Sequence, residues 1–141
     1  MKKILAVLLA LGISTTVAFA EVPVTVVKNG ETVVCDVESF QGETEIMIPL
    51  RAVFEAMDSH IRWESELRTI MIARQKNDEL LILALQIGSD KAFINSDSVT
   101  MSTPAIISQN RTFIPLSFVT DNFGGELIWD ETAKTLTIVN E

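Results

Sequence analysis

The sequence predicts an α+β domain: an antiparallel sheet of short strands packed around short helices, in two similar halves. Three observations lead there. One stretch recurs at a fixed offset, the mark of an internal repeat. Short apolar runs bounded by Gly, Asn and Asp recur along the chain. Two brief segments carry apolar residues at helical spacing.

The repeat is the strongest of these. The run from Met47 to Glu64 returns as Phe113 to Asp130, and the likeness continues to Ile72 and Ile138. Ile48/Ile114, Pro49/Pro115, Leu50/Leu116, Val53/Val119, Trp63/Trp129, Thr69/Thr135 and Ile72/Ile138 are identical, each pair 66 positions apart. Glu55/Asp121, Glu64/Asp130 and Arg68/Lys134 keep their chemistry. The copies span 45–73 and 111–139. What repeats is a set of packing residues, so Pro49, Leu50, Trp63, Pro115, Leu116, Gly124 and Trp129 read as a structural signature. No catalytic residue, cofactor site or metal ligand is expected among them.

In chain order, Met1 to Ala20 reads as a secretory signal peptide. Lys2 and Lys3 precede an apolar run from Ile4 to Ile13, and Ala18 and Ala20 suit a signal peptidase. An uncleaved anchor is the alternative, but the run is shorter than the roughly 20 residues a spanning helix needs. The expected domain is 21–141, exported to the cell surface or the medium. Without Lys2 and Lys3, 9 Lys+Arg remain against 19 Asp+Glu, a net charge of −10. Such a chain repels nucleic acids and anionic lipid surfaces. Its single cysteine, Cys35, excludes an internal disulfide framework. Alternation with Val33 and Val37 makes Cys35 a small buried hydrophobe of a strand, with an intermolecular disulfide as the alternative.

Val22–Val27 and Thr32–Val37 read as a hairpin around Asn29 and Gly30, residues suited to a tight I′ turn. Residues 38–44 read as a loop and Glu45–Ile48 as a strand. Pro49 suits a first helical turn. Leu50, Val53, Phe54 and Met57 then form an apolar stripe that stops near Asp58. Ile61 and Trp63 alternate on a strand, Glu64–Glu66 turn, and Thr69–Ala73 return. Gln75–Glu79 reads as a polar connector. Leu80–Ile87 and Ala92–Ile94 read as strands around a turn at 88–90. Asn95–Asp97 turns again, and Val99–Met101 and Ala105–Ile107 are short strands. In the second copy Pro115 opens a helix bearing Leu116, Val119 and Phe123. Gly124 and Gly125 end it, as left-handed C′ residues. Leu127 and Trp129 lie on a strand, and Thr135–Val139 completes the fold.

The doubled Ile-Pro-Leu, the Trp followed by an acid, and the segment Ile87–Asn95 together resemble the copper amine oxidase N-terminal-like domain, also called the stalk domain. The resemblance runs from about Val22 to Ile138. It implies a five-stranded antiparallel sheet twisted around a helix, in a module that stands away from the catalytic domains of its namesakes. The copper ligands and quinone-forming tyrosine of those enzymes lie elsewhere. With no tyrosine and a single histidine, His60, this chain is not expected to inherit amine oxidase chemistry or any cofactor. Three positions depart from the pattern: Ser117 stands where the first copy has Arg51, Asp58-Ser59 where a glycine is usual, and Ser96 follows Asn95.

Candidate chemistry is sparse. His60 lacks sequence neighbours to share a metal and reads as a solvated loop residue. Glu64, Glu66, Asp130 and Glu131 occupy corresponding turns; they read as turn residues, with acid–base or calcium roles as the alternative. Trp63 and Trp129 read as core aromatics, with sugar-stacking platforms as the alternative. The expected function is a non-catalytic structural or binding module. Its partner would be an unknown protein, a second copy of the chain or a cell-wall polymer. A secreted hydrolase or inhibitor-like regulator using the acidic turns is the rival reading, and a surface metal scavenger a third.

Overall fold

The computed structural model describes residues 20–139. The expected signal peptide lies outside them apart from Ala20. In order, the described elements are β1 (Thr25–Lys28), β2 (Glu31–Val33), β3 (Phe40–Gln41), β4 (Ile46–Pro49), α1 (Leu50–Ala56), β5 (His60–Glu64), β6 (Thr69–Lys76) and β7 (Glu79–Gln86). There follow β8 (Lys91–Ile94), β9 (Asp97–Thr100), β10 (Ile106–Ser108), β11 (Arg111–Pro115), α2 (Leu116–Asn122), β12 (Leu127–Asp130) and β13 (Thr135–Ile138). The α+β class therefore holds, with mostly antiparallel pairing.

The strands form three sheets. One is a five-stranded antiparallel meander, β5-β6-β7-β8-β9. Two four-stranded sheets follow the orders β10-β11-β4-β3 and β12-β13-β1-β2. The five-stranded sheet implied by the family resemblance is thus joined by two others. One pairing is also parallel: β1 runs alongside β13, with Thr25 opposite Thr135 and Lys28 opposite Ile138. Parallel neighbours require a long crossover, and here it comprises nearly all of the chain between them.

Tight turns account for the strand ends. Asn29-Gly30, Asn77-Asp78 and Gln109-Asn110 all have positive φ at both residues, as I′ hairpin loops require. The connector expected over 75–79 is therefore a two-residue turn, with strand residues on either side. Within the loop expected over 38–44, Phe40 and Gln41 pair with Met47 and Ile46. β2 stops at Val33, so Cys35 lies beyond the strand; it is half-buried against the core. Burial, reinforced by Glu38 and Asp36, raises the Cys35 thiol pKa and disfavours its reactive thiolate.

The core forms where the repeated residues meet. β4 and β11 pair antiparallel with Ile48 directly opposite Ile114, and both are buried. Leu50, Val53 and Phe54 of α1 and Leu116, Phe118 and Val119 of α2 are buried in one cluster with Ile70, Ile72, Leu83, Leu85 and Leu136 from the sheets. Phe123 meets Phe54 and Phe118 edge-on, at centroid distances of 5.7 and 6.1 Å. Arg74 of β6, itself buried, pairs with Glu126 just before β12 and lies 6.0 Å from the Phe123 ring centroid. Lys76 approaches the same carboxylate at 3.4 Å.

Both prolines are extended, at φ −69 and −68, and cap their helices as the last strand residues. This places them one position ahead of the expected first turn. The two helices end differently. Ser59 N–H bonds Phe54 O and Asp58 N–H bonds Glu55 O, while Asp58 takes φ 58, which together make a Schellman cap. Gly124 and Gly125 do not adopt positive φ, which corrects the expected C′ role. Gly124 instead makes room, since a Cβ there would lie 3.1 Å from the Thr120 carbonyl oxygen.

Candidate binding groove beside the first helix

The hairpins β5/β6 and β12/β13 have matching registers. Trp63 faces Ile70 and Glu64 faces Thr69; 66 positions on, Trp129 faces Leu136 and Asp130 faces Thr135. Both tryptophans therefore share a sheet face with core residues. Neither is fully buried. Trp63 is 42% exposed, which overturns its assignment to the core. It stands on β5, an edge strand, so no neighbouring strand covers its outer side. Trp129 is half-buried against the core, and its Nε1–H donates to Glu131 Oε1 at 3.0 Å. The position matching Glu131 is Ser65, and among the described residues the Trp63 indole N–H has no protein acceptor.

Trp63 opens onto a groove of about 640 Å³. Its walls are the segment Val34–Asp36 after β2, the start of α1 from Pro49 to Glu55, and the β10/β11 turn with Ile107, Asn110 and Arg111. Val34 is 88% exposed here and Ile107 is also exposed. Two ion pairs rim the groove. Arg51 Nη1 donates to Glu55 Oε2 at 3.0 Å, one helical turn on. Arg111 Nε donates to Asp36 Oδ2 at 2.9 Å, joined by Nη2 on the same oxygen. The hydrogen bond from Arg111, aided by its charge, holds the Asp36 carboxyl below the usual carboxylate range.

Beside α2 the matching place is a smaller pocket of about 300 Å³, lined among others by Ser102, Ser117 and Asp121. Glu45 accepts from Ser117 N–H at 2.7 Å and from Ser117 Oγ at 2.6 Å, and Ser102 Oγ donates to the same carboxylate. Glu45, just before β4, thus caps α2 and satisfies an N–H of its first turn. The residue 66 positions on from Glu45 is Arg111, which cannot accept a bond from α1. One charge reversal in the repeat therefore separates a helix end capped by a carboxylate from one that borders the larger groove.

Leu50 and Leu116 are both buried in the core and Pro49 and Pro115 are buried as well, but Pro49 and Leu50, with Trp63, also border the groove, and Gly124 is exposed. Sequence reasoning did not single out Val34, Asp36, Ile107 or Arg111. The mismatch of Glu45 with Arg111 was the available signal. The acidic turns hold themselves: Asp130 Oδ1 accepts from the N–H groups of Thr132 and Ala133, both at 3.0 Å. Glu131 is lowered in pKa by hydrogen bonds from Lys134 and Trp129. Glu64 and Asp130 lie in different sheets, and His60 is exposed on β5. Among the described residues no group of three or more His, Cys, Asp or Glu side chains could hold a metal ion.

No curated protein matches the chain. The family model for the copper amine oxidase N-terminal domain matches residues 27–138.

Proposed function

The chain belongs to the copper amine oxidase N-terminal domain family, a non-catalytic domain, and from that premise we propose an exported contact module with no enzymatic role of its own. Two similar halves share one interior and form its scaffold, and the groove at Trp63 is its contact site. The carrying observation is the exposed Trp63 over a groove of about 640 Å³, where the matching part of the repeat has its helix capped by Glu45 and a pocket of only about 300 Å³. Clefts that combine apolar walls with a few fixed polar groups are the usual form of binding sites. Export rests on the charged, apolar and small-residue pattern of residues 1–20, which a cell fractionation would test.

The partner lies in the cell envelope. A chain lacking residues 1–20, immobilised and incubated with envelope extract, is expected to retain an envelope component, and Val34→Glu is expected to reduce that retention. A monomer in solution that retains nothing from the extract would overturn the reading.

A further inference from the structure

We infer that the occupant of this groove is an uncharged stretch of glycan, its sugar rings set against Trp63. The inference rests on the contact reading above and narrows it to one ligand chemistry. Three features carry it. First, the rim is electrically balanced. Arg51 is matched by Glu55 and Arg111 by Asp36, so the groove offers no surplus charge to an ionised ligand. The whole chain carries a net charge of −8, which repels anionic polymers. Second, the same pairs present donors and acceptors side by side. A guanidinium has five N–H donors and a carboxylate two acceptor oxygens, and neighbouring hydroxyls on a sugar ring need both kinds of partner. Asn110 adds an amide at the same rim. Third, Trp63 supplies an aromatic surface together with an indole N–H that no group among the described residues engages. An amphipathic ring of this type suits a sugar, which has apolar C–H faces and polar edges. A purely apolar peptide side chain would leave the rim's polar groups desolvated without partners, at a penalty.

The test uses the chain without residues 1–20, its Trp129→Phe variant, and soluble oligomers of N-acetylglucosamine and of glucose. Tryptophan fluorescence and calorimetry follow binding. In the Trp129→Phe chain the signal comes from Trp63 alone. Saturable binding to one oligomer series is expected, longer oligomers binding more tightly. Trp63→Ala is expected to weaken it at least about tenfold. Because Trp63→Ala also removes packing, Val34→Glu is the second probe. Val34 is almost fully exposed, so its melting temperature should hold while binding falls. Absence of binding to either series at about 10 mM overturns the inference. Binding that both variants leave unchanged also overturns it, by placing the sugar elsewhere. If the chain retains an envelope protein but no glycan, the glycan inference falls and the contact reading stands. If it retains neither, both fall.

Discussion

Trp63 and Trp129 stand 66 positions apart on strands of matching register, yet among the described residues only the Trp129 indole N–H has a protein acceptor. The same division separates the whole of segment 45–73 from segment 111–139. Around the second helix, Glu45 caps the helix and Glu131 holds the tryptophan. Around the first, Arg51 and Arg111 stand where a serine and a capping carboxylate stand in the other, and Ser65 replaces Glu131, although β5 and its counterpart β12 are both edge strands. Ile48/Ile114, Leu50/Leu116 and Val53/Val119 are identical and buried in both segments, whereas buried Phe54 is matched by Thr120 and the polar residues around the two helices differ. Close packing constrains buried positions more than solvated ones. The polar rims differ most: a capped helix end beside a small pocket in one place, a wider groove in the other.

Substitutions at paired positions would sharpen or break this contrast. Ile48→Ala and Ile114→Ala are expected to cost about 2–5 kcal/mol each, and nearly the same amount, because the side chains lie opposite one another in one core. Urea denaturation that gave very unequal losses would show that the two segments do not share the interior evenly. Glu126→Gln should cost about 2 kcal/mol at neutral pH, since it strips the charge facing buried Arg74. Burial pushes the Glu126 carboxyl up, but the hydrogen bond and charge of Arg74, with Lys76, outweigh that and leave its pKa lowered. A carboxyl depressed on folding stabilises above its unfolded pKa of about 4.3 and loses that contribution as pH falls through the folded value. The gap between native and variant stability should therefore narrow below about pH 4; a pH-independent gap would mean that the charge is not the cause.

A smaller effect is expected from Glu45→Ala, which removes the remote cap of α2 and should cost about 1 kcal/mol. Arg111→Ala, at the matching position, should leave the melting temperature within error, because its pair with Asp36 is solvated. Equal losses would erase the contrast between a capped helix and an open one. The smallest effects concern the helix ends. Asp58→Gly should stabilise by about 0.5 kcal/mol by relieving φ 58, an amount offset in part by loss of the Lys28 pair. Gly124→Ala should destabilise slightly, through crowding of Thr120 O. Thermal melts of the two variants should move in opposite directions.

Much of this architecture was legible because buried residues leave periodic traces. Ile61 and Trp63 announced an alternating strand, and Leu50, Val53, Phe54 and Met57 a helix. The hairpin at Asn29-Gly30 followed from the conformational tolerance of those residues. Other features had no local trace. The parallel pairing of β1 with β13 joins residues more than a hundred positions apart, and nothing within either strand specifies the partner. Alternation places Trp63 on the inner face but does not reveal that a groove opens beside it. Asn77-Asp78 reads as part of a connector because five successive polar residues conceal a two-residue turn. The groove was illegible for a further reason: its walls come from separate parts of the chain, and its rim is recognised only by comparing Arg111 with Glu45 across the repeat.

The parallel alignment of β1 and β13 also has a mechanical consequence. The chain enters β1 at Thr25 and leaves β13 at Ile138, and these residues lie at opposite ends of the four-pair ladder. Tension applied through the preceding and following chain acts along the strands in opposite directions. It shears the ladder, so that its hydrogen bonds bear the load together, whereas pulling apart the ends of an antiparallel hairpin breaks them one at a time. The segment before β1 would yield first, since it is tied to β3 by only a few bonds, among them Val22 N–H to Ser39 O and Gln41 N–H to Ala20 O. Single-molecule extension from the chain ends is expected to require a higher force than extension between Glu79 and Ile94, across the β7/β8 hairpin. Equal forces would show that the parallel pair bears no such load.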